Sequence, residues 1–490
     1  MAKPKQFTKP PKKQKSKAAA PETADEFQEA ADFEEETGGK WRAGDPAKSG
    51  RAFVRALEIY ERGLQRHPSS FDLAYNKARL ELEITQQPPI VSHIQLPLIE
   101  LLKQTLDSHR YALRLNEENP DVLFNTSQVL TSLAEQLSEA DDSGSAIPLL
   151  QEALELLSAC LSRQEMLLEQ HQADLEDAEE GGVALDPEDR PASTSGSEAS
   201  GQTVTIENPI TANDLLDTVH ASLSALTTLV SLVEAGALQT LGDMAHSLTE
   251  NKAPAYIGLL PVDAQESARF TFALARASFV SAFADAQYNA FMIEAETYLA
   301  RLEAFSIPSK GQDATALGSE AEARTEFALS VLARFEGSPD LPVDLCWKQL
   351  SLAQDLYTKA TKIGRSAQVY LSRGDVEMLR HRLASSPYVK LSDGMRKSAP
   401  TLAQNAYTYY KGAVRLGTDE DAELKLKAQQ RMSIVARMRM LLYETEPSAD
   451  AADSIQSSAA YLRAGLVQSV EEGLLETALA DAIANSLTAK

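Results

Sequence analysis

Cysteine is nearly absent from this 490-residue sequence, and aromatic residues make up only 6% of it. Its two cysteines, Cys160 and Cys346, stand far apart and outside any CxxC spacing, so they predict neither a disulfide framework nor a zinc site. No run of about 18 apolar residues occurs, and no membrane-spanning helix is predicted. The basic N-terminus has no apolar stretch behind it, which argues against a secretory signal. A reducing compartment is the simplest interpretation.

The sequence also lacks the motifs of common catalytic and cofactor-binding sites. Its seven histidines never stand at metal-ligand spacing. There is no GxGxxG, GxxxxGK[ST] or GxSxG pattern. Acidic runs such as residues 34–36 are more typical of solvated helix faces than of catalytic pairs. We therefore predict a protein that is not an enzyme and that needs no metal and no cofactor.

The charge of the chain is strongly acidic and unevenly distributed. The formal net charge is −24, yet residues 1–20 contain seven lysines and no acid. The other residues therefore carry 40 basic and 71 acidic side chains, a net charge of −31. Such a body repels nucleic acid and anionic membranes and attracts basic polypeptides. We predict protein partners with a basic segment, no direct nucleic-acid binding by the body and no membrane partner.

The lysines of the tail, Lys3–Lys17, have two interpretations. The Pro-Lys-Lys-x-Lys pattern from Pro11 to Lys15 is typical of a nuclear import signal. A plain solubilising tail fits the composition equally well. The expected location is cytoplasmic, nuclear or both.

Composition divides the chain into four parts. Residues 177–207 consist mainly of Glu, Asp, Gly, Ser, Thr and Pro, which predicts a disordered linker. Elsewhere helical periodicity dominates and no long period-two alternation occurs, so the fold class is all-α. We expect Gly38-Gly39 to end the first helix and residues 451–487 to form the last one. The predicted parts are a disordered basic tail (1–20), N-terminal helical repeats (21–176), an acidic Ser/Gly-rich linker (177–207) and C-terminal helical repeats (208–490).

One spacing recurs in widely separated helices. A small residue is followed four positions later by a large one and three positions after that by another small one. This pattern resembles the tetratricopeptide repeat (TPR), a pair of antiparallel helices that cross closely at the small positions. The instances are Ala56-Tyr60-Gly63, Ala146-Leu150-Ala153, Ala353-Tyr357-Ala360 and Ala406-Tyr410-Ala413.

The resemblance implies a right-handed solenoid of helical hairpins with a concave binding surface. Asn76 and Asn125 match the family's groove asparagine, and they are our candidates for partner binding. The alternative is that each bonds a neighbouring helix. Some family members clamp acidic chaperone tails with Lys and Arg, and Asp121 and Asn125 at those positions disfavour this heat-shock co-chaperone function.

Three hypotheses follow for the function. The leading one is a scaffold or dedicated chaperone that holds a basic segment of a client, for example of a ribosomal or other nucleic-acid-binding protein. The first alternative is a structural subunit of a stable complex that binds a partner helix through apolar contacts. A second alternative is an enzyme hidden in residues 211–340, for which no set of residues argues.

Overall fold

The computed structural model describes residues 20–94, 96–180, 209–387, 391–418, 422–445 and 459–487. The predicted basic tail, apart from its last residue, and residues 181–207 of the predicted linker lie outside this range. Within it, the chain forms helices and contains no strand, which confirms the all-α class. The helices group into two compact units, Met1–Glu117 and Glu118–Lys490.

The N-terminal unit pairs successive helices in antiparallel fashion. At one end of the first pair, the Arg66 guanidinium donates to the Pro21 carbonyl at 3.1 Å. At the other end, the Ser49 hydroxyl donates to the Gly38 carbonyl at 2.8 Å. The described helices of this unit are α1 (Ala24–Trp41), α2 (Pro46–Arg66), α3 (Phe71–Thr85), α4 (Pro88–Val91) and α5 (Leu98–Leu115).

The prediction that Gly38-Gly39 ends the first helix is wrong, because α1 continues to Trp41. Gly38 serves packing instead. A Cβ atom at this position would lie 2.4 Å from the Phe53 ring of α2, far inside van der Waals contact. The missing side chain therefore lets the two helices approach closely, and Phe53 is only 2% exposed in the resulting core.

The C-terminal unit continues this pattern with more helices. Its regular helices before the centre are α6 (Pro120–Glu139), α7 (Ser143–Glu180), α8 (Ala212–Val230), α9 (Leu238–His246), α10 (Ala253–Leu259), α11 (Val262–Asn289) and α12 (Ala295–Arg301). Those that follow are α13 (Ala314–Arg334), α14 (Val343–Ile363), α15 (Ala367–Ser385), α16 (Asp393–Leu416), α17 (Ala422–Tyr443), α18 (Ala459–Glu471) and α19 (Thr477–Ser486).

From α13 onward, each helix packs on the next one along the chain. In addition, α13 contacts α15, and α15 contacts α17, so alternate helices share one face of the unit. The central part is less regular, since a π-helical segment (Ser247–Lys252) joins α9 to α10. The right-handed sense of the predicted stacking stays a prediction.

The expectation of one final helix over 451–487 is wrong for its described part. The chain there forms α18 and α19, separated by a turn at Gly473 with φ +69°. The turn ends α18 because this left-handed conformation directs the backbone out of the helix, and glycine adopts it without steric cost. Leu474 and Leu475, which follow, are 3% and 4% exposed.

Candidate functional site

The residues of the repeat spacing all lie in the cores of their units. Gly63 marks a second close approach in the N-terminal unit, where an added Cβ would meet Phe27 and Leu73 at 3.0 Å. The most exposed is Tyr357, at 5%. Their role is therefore packing between neighbouring helices. The buried set is Ala56, Tyr60, Gly63, Ala146, Leu150, Ala153, Ala353, Tyr357, Ala360, Ala406, Tyr410 and Ala413.

Two tyrosines of this set also bind a carboxylate on the preceding helix. The Tyr60 hydroxyl donates to Glu35 Oε1 at 2.6 Å and lies 3.1 Å from Asp32 Oδ1. The Tyr410 hydroxyl donates to Asp375 Oδ1 at 2.6 Å. Burial and the neighbouring negative charge raise the pKa of both phenols well above its ordinary value, so both stay neutral donors. The sequence pattern identifies the large residue, but it contains no sign of this hydrogen bond.

The structure places the two candidate groove asparagines in different units. Asn76, on α3, is half-buried, and its amide donates to Gln28 Oε1 on α1 at 3.1 Å. That bond corresponds to the alternative interpretation, a link to a neighbouring helix. Asn125 is half-buried on α6, and Asp121 is exposed in the first turn of the same helix. A role of either asparagine in partner binding stays a prediction.

A large candidate site among the described residues is a cavity of about 860 Å³ in the C-terminal unit. It lies on the face shared by α13, α15 and α17, and the end of α18 with the following turn forms one wall. We call it the acidic cavity. Leu329, Tyr357 and Leu379 contribute apolar surface to its lining, and Arg382 and Lys427 contribute cations. Its carboxylates are Glu322, Glu326, Glu336, Asp375, Glu471 and Glu472.

The two cations of the lining are already paired. Arg382 binds Glu336 at 2.9 Å and also donates to the Gly473 carbonyl at 2.7 Å, which anchors the turn after α18. Lys427 binds Glu472 at 3.1 Å. These bonds compensate Glu336 and Glu472. They leave no lining cation for the carboxylates of α13.

Neither of the two cavity carboxylates on α13, Glu322 and Glu326, forms an ion pair among the described residues. They stand four residues apart on α13 and are exposed to solvent. Loss of hydration at the carboxylate raises the pKa of Glu322. For Glu326, loss of hydration is the main cause, and three neighbouring carboxylates add to it, raising its pKa to about 7. The site therefore holds unbalanced negative charge that a cationic group would stabilise.

One sequence signal could have located this site. Two interleaved pairs occupy the same stretch of α13. Glu320 and Arg324, four residues apart, form a salt bridge at 2.7 Å. Glu322 and Glu326 repeat the spacing with like charges. Two like charges four residues apart destabilise a helix, so such a pair indicates a function other than helix stability. The other lining residues come from distant parts of the chain, so no local pattern could have identified them.

The described residues contain no group of three or more His, Cys, Asp or Glu side chains arranged to hold a metal ion. None of the described helices is long and apolar enough to span a membrane. Cys160 and Cys346 are free thiols in the core, and burial raises their pKa values to about 11 and about 12. Such thiols are poor nucleophiles at neutral pH.

The described helices define a class of all-α proteins built from packed helical pairs. No protein-family profile matches the chain. It is 37% identical over 155 residues to the UPF0656 protein C926.02 of Schizosaccharomyces pombe (strain 972). That match covers 31% of this chain and 34% of the relative, so the chain spans about a third of the length of the curated protein it matches.

Solved structures similar to this chain are helical-repeat and adaptor proteins. One is the nuclear import adaptor Nro1 of Schizosaccharomyces pombe, with 12% identity, a TM-score of 0.29 and coverage of 82% of this chain and 99% of that one. Another is a circular tandem repeat protein, with 14% identity, a TM-score of 0.23 and coverage of 95% of each chain. At these TM-scores, we assign no feature of either structure to this chain.

Proposed function

We propose that this protein is a non-enzymatic protein-binding scaffold or dedicated chaperone that holds a basic segment of a partner in the acidic cavity. The single observation that carries the proposal is the pair Glu322 and Glu326, which line one large cavity whose two cations, Arg382 and Lys427, are each paired with another carboxylate. A lysine or arginine from another chain supplies the missing charge. Such an ion pair gains most where the protein already excludes part of the water.

The dimensions of the cavity fit this occupant. About 860 Å³ is near the upper end of small-ligand pockets and accommodates several side chains of an extended or helical segment. The lining alternates carboxylates with apolar groups such as Leu329 and Leu379, which suits the aliphatic stem of lysine or arginine. A client from a ribosomal or other nucleic-acid-binding protein has this chemistry.

The test uses a labelled peptide of eight arginines and the double variant Glu322→Gln/Glu326→Gln. At pH 8, above the pKa of about 7 of Glu326, we expect the variant to bind the peptide roughly tenfold more weakly and to show a smaller dependence on salt, because two carboxylates are lost. The matched control is Glu266→Gln/Glu296→Gln, which removes the same net charge from two exposed residues of this unit outside the cavity. The control retains wild-type affinity.

Equal loss in both double variants would show that the peptide responds to net charge and not to the cavity, which contradicts the proposal. Purification of partners from cells adds a second measurement. Partners that are not basic and that stay bound at high salt would favour the alternative of a structural subunit.

The proposed cytoplasmic or nuclear location includes an import role for Lys3–Lys17, which lie outside the described residues. Deleting that tail and following the location of the chain tests it.

A further inference from the structure

An exposed aromatic side chain stands beside the acidic cavity in an unfavourable backbone conformation. Phe291 follows the end of α11, has φ +58° and is 78% exposed. The next residue, Met292, is 50% exposed. Large side chains rarely adopt a positive φ because Cβ crowds the backbone, and an exposed ring gains little hydrophobic stabilisation in return.

The same turn occurs elsewhere in the unit with residues that suit it. After α11, the Phe291 amide bonds the Tyr288 carbonyl and the Met292 amide bonds the Gln287 carbonyl. Equivalent bonds form around Gly473 after α18 and around Asp141 after α6, with φ +69° and +61°. Glycine and aspartate are common at this position of a helix end. The turn itself therefore does not call for phenylalanine.

The Phe291 ring contacts the guanidinium of Arg334, but this contact covers only part of the ring. The Arg334 guanidinium lies 4.4 Å from the centre of the Phe291 ring and 3.5 Å from that of Tyr288. Arg334 is thus held mainly by Tyr288, whose backbone carbonyl it also binds. The outer face of Phe291 stays open to solvent. Fold stability alone gives no adequate reason for this residue.

The turn that carries the ring adjoins residues of the acidic cavity along the chain. Asn289, two residues before Phe291, and Ala333, next to Arg334, both line the cavity. We propose that Phe291 and Met292 form an apolar subsite at its rim, which receives a large apolar side chain flanking the cationic residues of the bound segment. The occupant is thus a basic segment that also carries a leucine or aromatic residue. This inference rests on the proposed function.

The experiment compares two labelled peptides on the full-length protein. One contains eight arginines, and the other is the same peptide with a leucine added at each end. We expect the leucines to strengthen binding to the wild type roughly fivefold through apolar burial. Phe291→Gly abolishes this gain and leaves the affinity for the all-arginine peptide unchanged. Its melting temperature equals or exceeds that of the wild type, since glycine relieves the strained turn.

The matched control is Val262→Ala, which shortens an 86% exposed apolar side chain at the other end of α11. This variant keeps the full gain from the leucines. If the all-arginine peptide does not bind the wild type, the proposed function fails. If it binds, and Phe291→Gly shows the same gain as the wild type, the apolar subsite alone is overturned. A marked fall in the melting temperature of Phe291→Gly would show that the ring serves the fold, which also contradicts the inference.

Discussion

The two compact units treat their carboxylates differently. In the N-terminal unit, cations pair with the acids of α1 and α3. Arg79 binds Glu35 at 2.5 Å, and Arg55 binds Glu34 at 2.6 Å. In the C-terminal unit, Glu322 and Glu326 face the acidic cavity without such partners among the described residues. Net charge alone is therefore a poor guide to a binding site, since a carboxylate that already has a partner has little left to offer a ligand.

Acidic residues within the C-terminal unit also have two different roles. Asp375 and Glu472 at the edge of the cavity are compensated by Arg431, which is 4% exposed and donates to the Ser469 hydroxyl at 3.0 Å. These groups hold α15, α17 and α18 together. Glu322 and Glu326 of α13 form no such ion pair among the described residues, which is why we assign binding to them.

The largest predicted effect concerns this buried cation. Arg431→Met removes the charge that compensates Asp375 and Glu472, and we expect the free energy of unfolding of the C-terminal unit to fall by about 3–5 kcal/mol. Denaturant unfolding of the full chain measures it. The matched control, Arg55→Met, breaks the exposed pair with Glu34 and costs less than about 1 kcal/mol. Equal costs for the two variants would remove the distinction between structural and solvated charges.

A second prediction tests a property that the units share. Each contains a buried neutral histidine, His109 or His381, and burial lowers the pKa of both to about 4. Below pH 6.5 the unfolded chain takes up a proton that the folded unit does not, so stability is lost as pH falls towards 4. Between pH 7 and pH 4.5, the free energy of unfolding of His109→Leu should fall by about 2–3 kcal/mol less than that of the wild type.

This comparison is made between unfolding free energies at pH 7 and pH 4.5 for wild type and variant. The Nε2 atom of His109 has no hydrogen-bond partner, and Nδ1 bonds the Thr105 carbonyl at 2.9 Å. That carbonyl also accepts the backbone hydrogen bond of α5, so leucine leaves no acceptor without a partner at pH 7. An equally acid-sensitive His109→Leu variant would assign the acid lability to carboxylates instead.

The sequence predicts the helices better than the site, and the reasons are physical. Helical periodicity and the repeat spacing are local, so they correctly indicate an all-α chain. Boundaries fail where a residue serves tertiary packing, as Gly38 does. They also fail where a turn interrupts a continuous helical pattern, as Gly473 does within the expected last helix. The acidic cavity collects residues from the end of α11 to the start of α19, and such long-range assembly leaves no local pattern except the like-charged pair on α13.

A third prediction sharpens the contrast between paired and unpaired acids. Glu35→Gln in the N-terminal unit weakens the hydrogen bond from Tyr60 and the ion pair with Arg79. We expect a loss of about 1–2 kcal/mol, typical of hydrogen bonds to charged groups. The same substitution at Glu322 should not destabilise the C-terminal unit at all. A cost at Glu322 similar to that at Glu35 would mean that it has a structural partner.

The smallest predicted effect is a pH dependence at Glu326, whose pKa is raised from 4.5 to about 7. Between these values the folded unit binds more protons than the unfolded chain, so stability falls as pH rises through this window. Because the side chain is solvent-exposed, Glu326→Gln should stabilise the unit at pH 8 by only about 1 kcal/mol.

The affinity for a cationic partner depends on pH in the opposite direction, since ionised Glu326 attracts a cation. Wild-type affinity for the arginine peptide should rise from pH 6 to pH 8, and Glu326→Gln should flatten that rise. A rise of equal size in the variant would place the titrating group elsewhere and remove Glu326 from the binding surface.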